Sequence, residues 1–184
     1  MITDMMDIHD GFFAKFEGAI TIDDVAVSSR FFNPQPSQKK APTYPSIVIQ
    51  PHVPRPSSRV WVESTSIYNA EDGTAQEVKP PKLWKFPYQV SMYSARFDHA
   101  IKLFQAVHGL FPEVKGQSFI KIESDNYDVV LVDERSVPTI DAGVFRYDFD
   151  YEVHVPVYAL AEEAVKAIET WSVATEETTS NLSE

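Results

Sequence analysis

The chain has no cysteine, which excludes disulfides, thiolate metal sites and thiol nucleophiles together. Glycine is scarce, with six scattered through 184 residues. A phosphate-cradling loop and a dinucleotide fingerprint are therefore both absent. No Gly-x-Ser-x-Gly elbow offers a serine nucleophile. No apolar run approaches the roughly 20 residues that span a bilayer, so no membrane partner is expected. The start, Met1-Ile2-Thr3-Asp4, lacks the basic and apolar stretches of a signal peptide, which points to intracellular synthesis. Basic residues are outnumbered, 16 against 27 acidic, for a net charge of −11. That balance argues against binding nucleic acid by phosphate neutralisation.

What is present reads as an ordinary globular protein, with 43% hydrophobic and 23% charged residues. The length suits one domain with a real core, with or without ordered extensions. Charge is unevenly placed. From Arg30 to Lys102 there are ten Lys/Arg and five Asp/Glu, a net of +5, and the remainder carries −16. Chance clustering on a solvated surface explains this, and so does a subunit with two oppositely charged faces that associates head to tail.

The longest pattern runs from Val144 to Val157. Phe145, Tyr147, Phe149, Tyr151, Val153, Val155 and Val157 alternate with Arg146, Asp148, Asp150, Glu152 and His154, which predicts one long strand. Phe86 to Tyr93 predicts a second strand, with Phe86, Tyr88, Val90 and Met92 on one face. It leads into the best helix, Ser94 to Leu110, where Phe97, Ile101, Phe104, Val107 and Phe111 form an apolar stripe. Ser94 is the expected cap, Asp98 suits the first turn, and Gly109 and Pro112 stop the helix. Ser118 to Glu123 and Asp128 to Asp133 read as paired strands, and the unbroken Val129-Val130-Leu131-Val132 predicts cover on both faces. Thr3 to Phe16 predicts a helix capped by Thr3 or Asp4, with Gly11 as a weak point. Ile20 to Val27 and Ile47 to Ile49 predict strands. Four prolines in residues 33–45 exclude helix and central strand, and prolines 51, 54 and 56 prolong an extended arm over 33–57. Val60-Trp61-Val62 predicts a strand, and Asp72-Gly73 a hairpin turn within a projecting loop over 64–85. A looser helical pattern follows from 159, and 175–184 is a polar tail. The predicted organisation is one domain over 1–158 followed by a helix and acidic tail over 159–184. The predicted class is α+β, a mixed, mainly antiparallel sheet backed by one or two helices.

Few groups point to chemistry. His99 and His108 share a helix but miss the i, i+4 spacing of a helical metal pair. Asp148, Asp150, Glu152 and His154 share one strand face, and alternating carboxylates of this kind can hold Mg²⁺ or Ca²⁺. Arg146 beside them and the ordinary polarity of a half-exposed strand argue against it, so neither metal nor cofactor is expected. Phe145, Tyr147, Phe149 and Tyr151 can stack nucleobases, but an acidic chain favours packing against the helix instead.

The succession of Phe86-Pro87-Tyr88-Gln89-Val90-Ser91-Met92-Tyr93, a helix, a strand pair and a long Phe145-Arg146-Tyr147-x-Phe149 strand resembles the tail terminator, or tail-completion, proteins of long-tailed bacteriophages. The resemblance covers about 45–158 and rests on pattern, without an invariant motif. It implies a non-enzymatic virion subunit, made in the host cytoplasm, that forms a hexameric ring. The ring ends the tail tube and docks the head–tail connector or neck proteins, and DNA passes through its lumen unbound. On that footing Asp148, Asp150 and Glu152 are expected to line the lumen as an acidic stripe. Lys39, Lys40, Tyr44, Arg55, Arg59, Lys79, Lys82 and Trp84 are expected to contact neighbouring subunits or partners. A neck, head-completion or tail-tube-like subunit fits the same pattern. A small metal-dependent or carbohydrate-processing enzyme using the 148/150/152 carboxylates is a competing class, and a monomeric binding domain is a third.

Overall fold

In a computed structural model of the chain, the described residues are 2, 4–31, 44–57, 65–69, 74–78, 83–112, 118–137, 143–156, 160, 165, 166 and 168. Lys39, Lys40, Arg59, Lys79, Lys82, the Val60–Val62 strand, the Asp72-Gly73 turn and the tail from 175 lie outside them.

Helix α1 spans Met5–Phe13. Asp4 caps it by accepting from the Met6 amide at 2.8 Å, and Asp7 reaches back to the Asp4 amide at 3.4 Å. The segment 20–27 folds as a hairpin of two short strands, β1 (Thr21–Ile22) and β2 (Val25–Ala26), instead of one strand. Its turn uses Asp23 and Asp24 at φ of 50° and 64°, a conformation that Asp tolerates better than most residues.

The main sheet has seven strands: β3 (Ser28–Phe31), β4 (Ser46–Pro51), β5 (Arg55–Pro56), β8 (Leu83–Ser94), β9 (Phe119–Ile122), β10 (Asp125–Val137) and β11 (Phe145–Pro156). Its order is β3-β4-β8-β11-β10-β9, with β5 added to the start of β8. Only β3–β4 is parallel; every other pairing in it is antiparallel. With α1 and α2 (Phe97–Leu110) this is the α+β class that the patterning predicts. The described half of the expected proline arm, 44–57, is laid onto the sheet as β4 and β5. β6 (Thr65–Asn69) and β7 (Thr74–Val78) form the predicted hairpin as a sheet of their own.

Both helices cover one face of the sheet. Phe86, Tyr88, Val90 and Met92 of β8 lie beside Phe149, Tyr151, Val153 and Val155 of β11, all almost fully buried. Phe12 stacks on Tyr88 at 4.1 Å and on Phe111 at 5.6 Å, and Phe111 meets Tyr151 at 5.0 Å. Gly11 lets α1 lie close to β9, since a Cβ there would sit 3.1 Å from Ile122 Cγ1. Leu160, which bridges to Ile2, and Ile168 are buried in the same core.

Two expectations about faces are corrected. α2 buries Ala100, Leu103 and Val107, while Phe97 and Ile101 are left 55% and 38% exposed. The buried stripe lies one position round the helix from the expected one, and Phe97 meets the half-exposed Phe145 ring at 5.4 Å. Ser94 ends β8 and does not cap α2; its hydroxyl accepts from the Arg96 amide at 3.1 Å, and Arg96 occupies the cap without a side-chain bond. The Val129–Val132 run is covered on one face: Val129 is buried, whereas Val130 and Val132 are 41% and 55% exposed.

His9 is buried with Nδ1 2.7 Å from the Tyr88 hydroxyl. Burial pushes its pKa below the ordinary histidine value. The unfolded chain therefore takes up this proton first, at about pH 6.5, and the folded chain only at lower pH. Stability is full above that value and falls as the pH drops below it. Urea midpoints measured between about pH 7.5 and 5 should show this limb in the native protein and a flatter one in His9→Gln.

Candidate functional site

Antiparallel register places the polar residues of β11 on the face opposite α1 and α2. Arg146 lies opposite Tyr93, Asp148 opposite Ser91, Asp150 opposite Gln89 and His154 opposite Lys85. From the other side β10 sets Arg135 opposite Asp148 and Asp133 opposite Asp150. A β-bulge between Leu131 and Asp133 shifts the strand so that Arg135 reaches across this face.

Each carboxylate is met by a cation. Arg146 forms a two-pronged pair with Asp148, 2.9 Å for both Nε–Oδ1 and Nη2–Oδ2, while its guanidinium lies over the Tyr93 ring at 5.5 Å. Arg135 donates to Asp150 at 2.6 Å and to Asp133 at 3.0 Å. Gln89 adds a longer bond to Asp150 at 3.4 Å. Glu152 accepts from Arg55 at 2.6 Å and Lys85 at 2.7 Å, with His154 Nε2 at 3.3 Å. Asp148 and Glu152 are only 2% and 4% exposed. Their burial is tolerable because every charge is paired and hydrogen-bonded.

The sequence reading of a mostly acidic stripe is therefore corrected in its electrostatics. Arg55, Lys85, Arg135 and Arg146 balance Asp133, Asp148, Asp150 and Glu152, so this face is a neutral ion-pair lattice. A divalent cation at Asp148, Asp150 or Glu152 would have to displace these arginines and Lys85. A groove of about 300 Å³ opens beside the lattice, lined by His52, Arg55, Gln89, Val132, Asp150 and Glu152 among others. Among the described residues, the group whose spacing suits an ion is elsewhere: Asp23, Asp98 and His99, at the turn of the β1–β2 hairpin and the first turn of α2. Lys102 hydrogen-bonds to Asp23 and Arg96 to Asp98, lowering both carboxyl pKa values and occupying their oxygens.

Of the expected contact residues, Trp84 is 9% exposed and belongs to the chain's own core, opposite Val155 and Pro56. Arg55 is consumed by Glu152, although 63% of its side chain remains exposed. Tyr44 is 38% exposed.

No family model and no curated protein matches the chain. Among solved structures, a sheath/tube terminator is similar. It comes from PVC, an extracellular contractile injection system, and was determined in the extended state. Identity is 11% and the TM-score 0.43, over 84% of this chain and 58% of that one. The match thus takes in less than two thirds of the terminator's length.

Cation–carboxylate pairing across β5, β8, β10 and β11 also ties the sheet together. Asp148→Asn keeps the shape but leaves Arg146, 29% exposed, without its anion. It is expected to cost about 1–3 kcal/mol in urea unfolding. Asp133→Asn, at an exposed pair, should stay within about 0.5 kcal/mol.

Proposed function

We propose that this chain is a structural subunit that closes into a ring, six copies in the reading we favour, at the end of a tail tube and joins it to a head or neck assembly. The observation that carries this reading is the element order. β8, α2, the β9–β10 pair and the long β11 follow one another as the terminator resemblance implies, with β11 at the centre of the sheet.

The chemistry of the face opposite α1 and α2 supports the same reading. Its charges are spent on one another, which suits a wall or a mating surface better than a reaction centre. If this face lines the lumen, Asp148, Asp150 and Glu152 meet passing DNA already neutralised by Arg55, Lys85, Arg135 and Arg146. Such a wall neither grips nor strongly repels the phosphates, and DNA slides past it. The partners are then further copies of the chain, a tube subunit below and a connector or neck subunit above. The setting is the virion, assembled in the host cytoplasm.

Sedimentation of the purified chain, alone and with polymerising tube subunits, tests this. The expected result is a species near six times 20.8 kDa and tubes that stop growing once it is added. A chain that stays monomeric in both conditions and leaves tube length unchanged would contradict the proposal.

A further inference from the structure

The main sheet is open at both ends among the described residues. At one end β3 pairs with β4 alone. At the other, β9 covers only Asp125–Asp128 of β10, and past the bulge Asp133–Val137 has a strand partner on the β11 side alone. An uncovered edge is a template for a further strand. Across the sheet β3, β4 and β11 run one way and β8 and β10 the other. A copy added as a continuation of the sheet therefore sets its β3 antiparallel to β10.

The ion pairs show which edges fit. The lattice is neutral as a whole but unevenly shared. Glu152 takes both Arg55 and Lys85, whereas Asp133 and Asp150 share Arg135. The β10 edge is thus one cation short, and its outermost carboxylate is Asp133, with 59% of its side chain exposed. β3 holds the missing charge. Register runs from Arg30 to Val48, Ser91, Asp148 and Arg135, strand by strand, so Arg30 lies on the lattice face. Its neighbours Ser29 and Phe31 turn to the helix side, where they meet the Phe16 carbonyl and the Phe13 ring. Arg30 is exposed and has no ionic partner among the described residues. β9, the other open strand at the far end, carries exposed Lys121, which disfavours a second cation.

We infer that β3 of one copy adds antiparallel to the Asp133–Val137 edge of β10 in the next, with Arg30 brought against Asp133, so that the ring closes as one continuous sheet. The contact is heterologous, since donor and acceptor are different surfaces, and its repetition closes a ring when the rotation allows. The inference rests on the ring reading and adds to it which surfaces meet.

The absence of cysteine makes the test clean. Ser28→Cys and Val137→Cys are placed together in one chain. With Arg30 opposite Asp133 they are diagonal neighbours across the contact, about 7–8 Å apart. Within one chain four strand spacings, about 19 Å, separate them. A bis-maleimide of about 8 Å therefore joins copies and not a chain to itself. The expected result is a ladder in steps of 20.8 kDa that ends at the sixth, with neither cysteine alone giving it. Ser29→Cys with Glu134→Cys, opposite each other in the same register, repeats the experiment should the first pair fail to fold. Arg30→Glu sets like charges against each other and should raise the concentration at which rings half-assemble by about tenfold; adding Asp133→Lys should restore it. A ring seen by sedimentation with no ladder from either pair, or one indifferent to Arg30→Glu, overturns this inference and leaves the ring reading standing. Loss of the ring in the unsubstituted protein overturns both.

Discussion

Phe12→Ala will lower the unfolding free energy by about 3–5 kcal/mol, the cost of deleting a fully buried phenyl ring with incomplete collapse around the cavity. Phe12 is 0% exposed and its ring contacts three aromatic side chains beneath and beside α1. It meets Tyr88 of β8 at 4.1 Å, Tyr151 of β11 at 6.1 Å and Phe111, just past α2, at 5.6 Å. Against the 5–15 kcal/mol of a typical domain this is a large share, and the thermal midpoint should fall accordingly. Phe97→Ala, on the exposed start of α2, should cost under about 1 kcal/mol. Equal losses at the two positions would mean that the apolar stripe of α2, and not the face found here, is the buried one.

Acidification exposes the second large effect. Burial pushes the Glu152 carboxyl up, but hydrogen bonds from Lys85, Arg55 and His154 outweigh it and hold the group down at about 2, against 4.5 ordinarily. A depressed carboxyl contributes stability that is complete above the unfolded value. The unfolded chain binds its proton near pH 4.5 and the folded chain only near 2, so the contribution drains away between them. Its size is on the order of 2–3 kcal/mol once the solvent exposure of Arg55 is allowed for. Glu152→Gln should therefore be less stable than the native protein by that amount at about pH 7, with the gap closing as the pH approaches 2. A difference that stays constant across this range would remove the ion-pair account of Glu152.

The parts of the fold that were legible from sequence are those set by one strand or one helix at a time. The alternation gave the right apolar face for β8 and for β11 from Phe149 to Val155, because a two-residue period survives any neighbour, whereas Phe145 is exposed and the polar Asp148 and Glu152 are buried. Asp4 and the apolar spacing behind it announced α1. What failed needed knowledge of a neighbour. Val130 and Val132 look like core residues in a hydrophobic run, but among the described residues both helices lie on the other side of β10, which leaves them exposed. The Asp23-Asp24 turn lacks the Asn-Gly or Asp-Gly signal by which hairpins are usually read. In the site, the carboxylates and the neighbouring Arg146 were visible in the sequence, and the partners on other strands were not. Arg55 lies 97 residues from Glu152 and Lys85 lies 67 away, and nothing short of strand register joins them. Lys85, Gln89 and Ser91, alternating on β8, were the available signal for the facing half of the lattice.

The most direct test of the central claim is an electron-microscope image of the chain in its native assembly. The account predicts a closed ring with a central hole, seated at the head-proximal end of a tube. Density that is asymmetric, lacks the hole, or lies along the flank of the tube would contradict it.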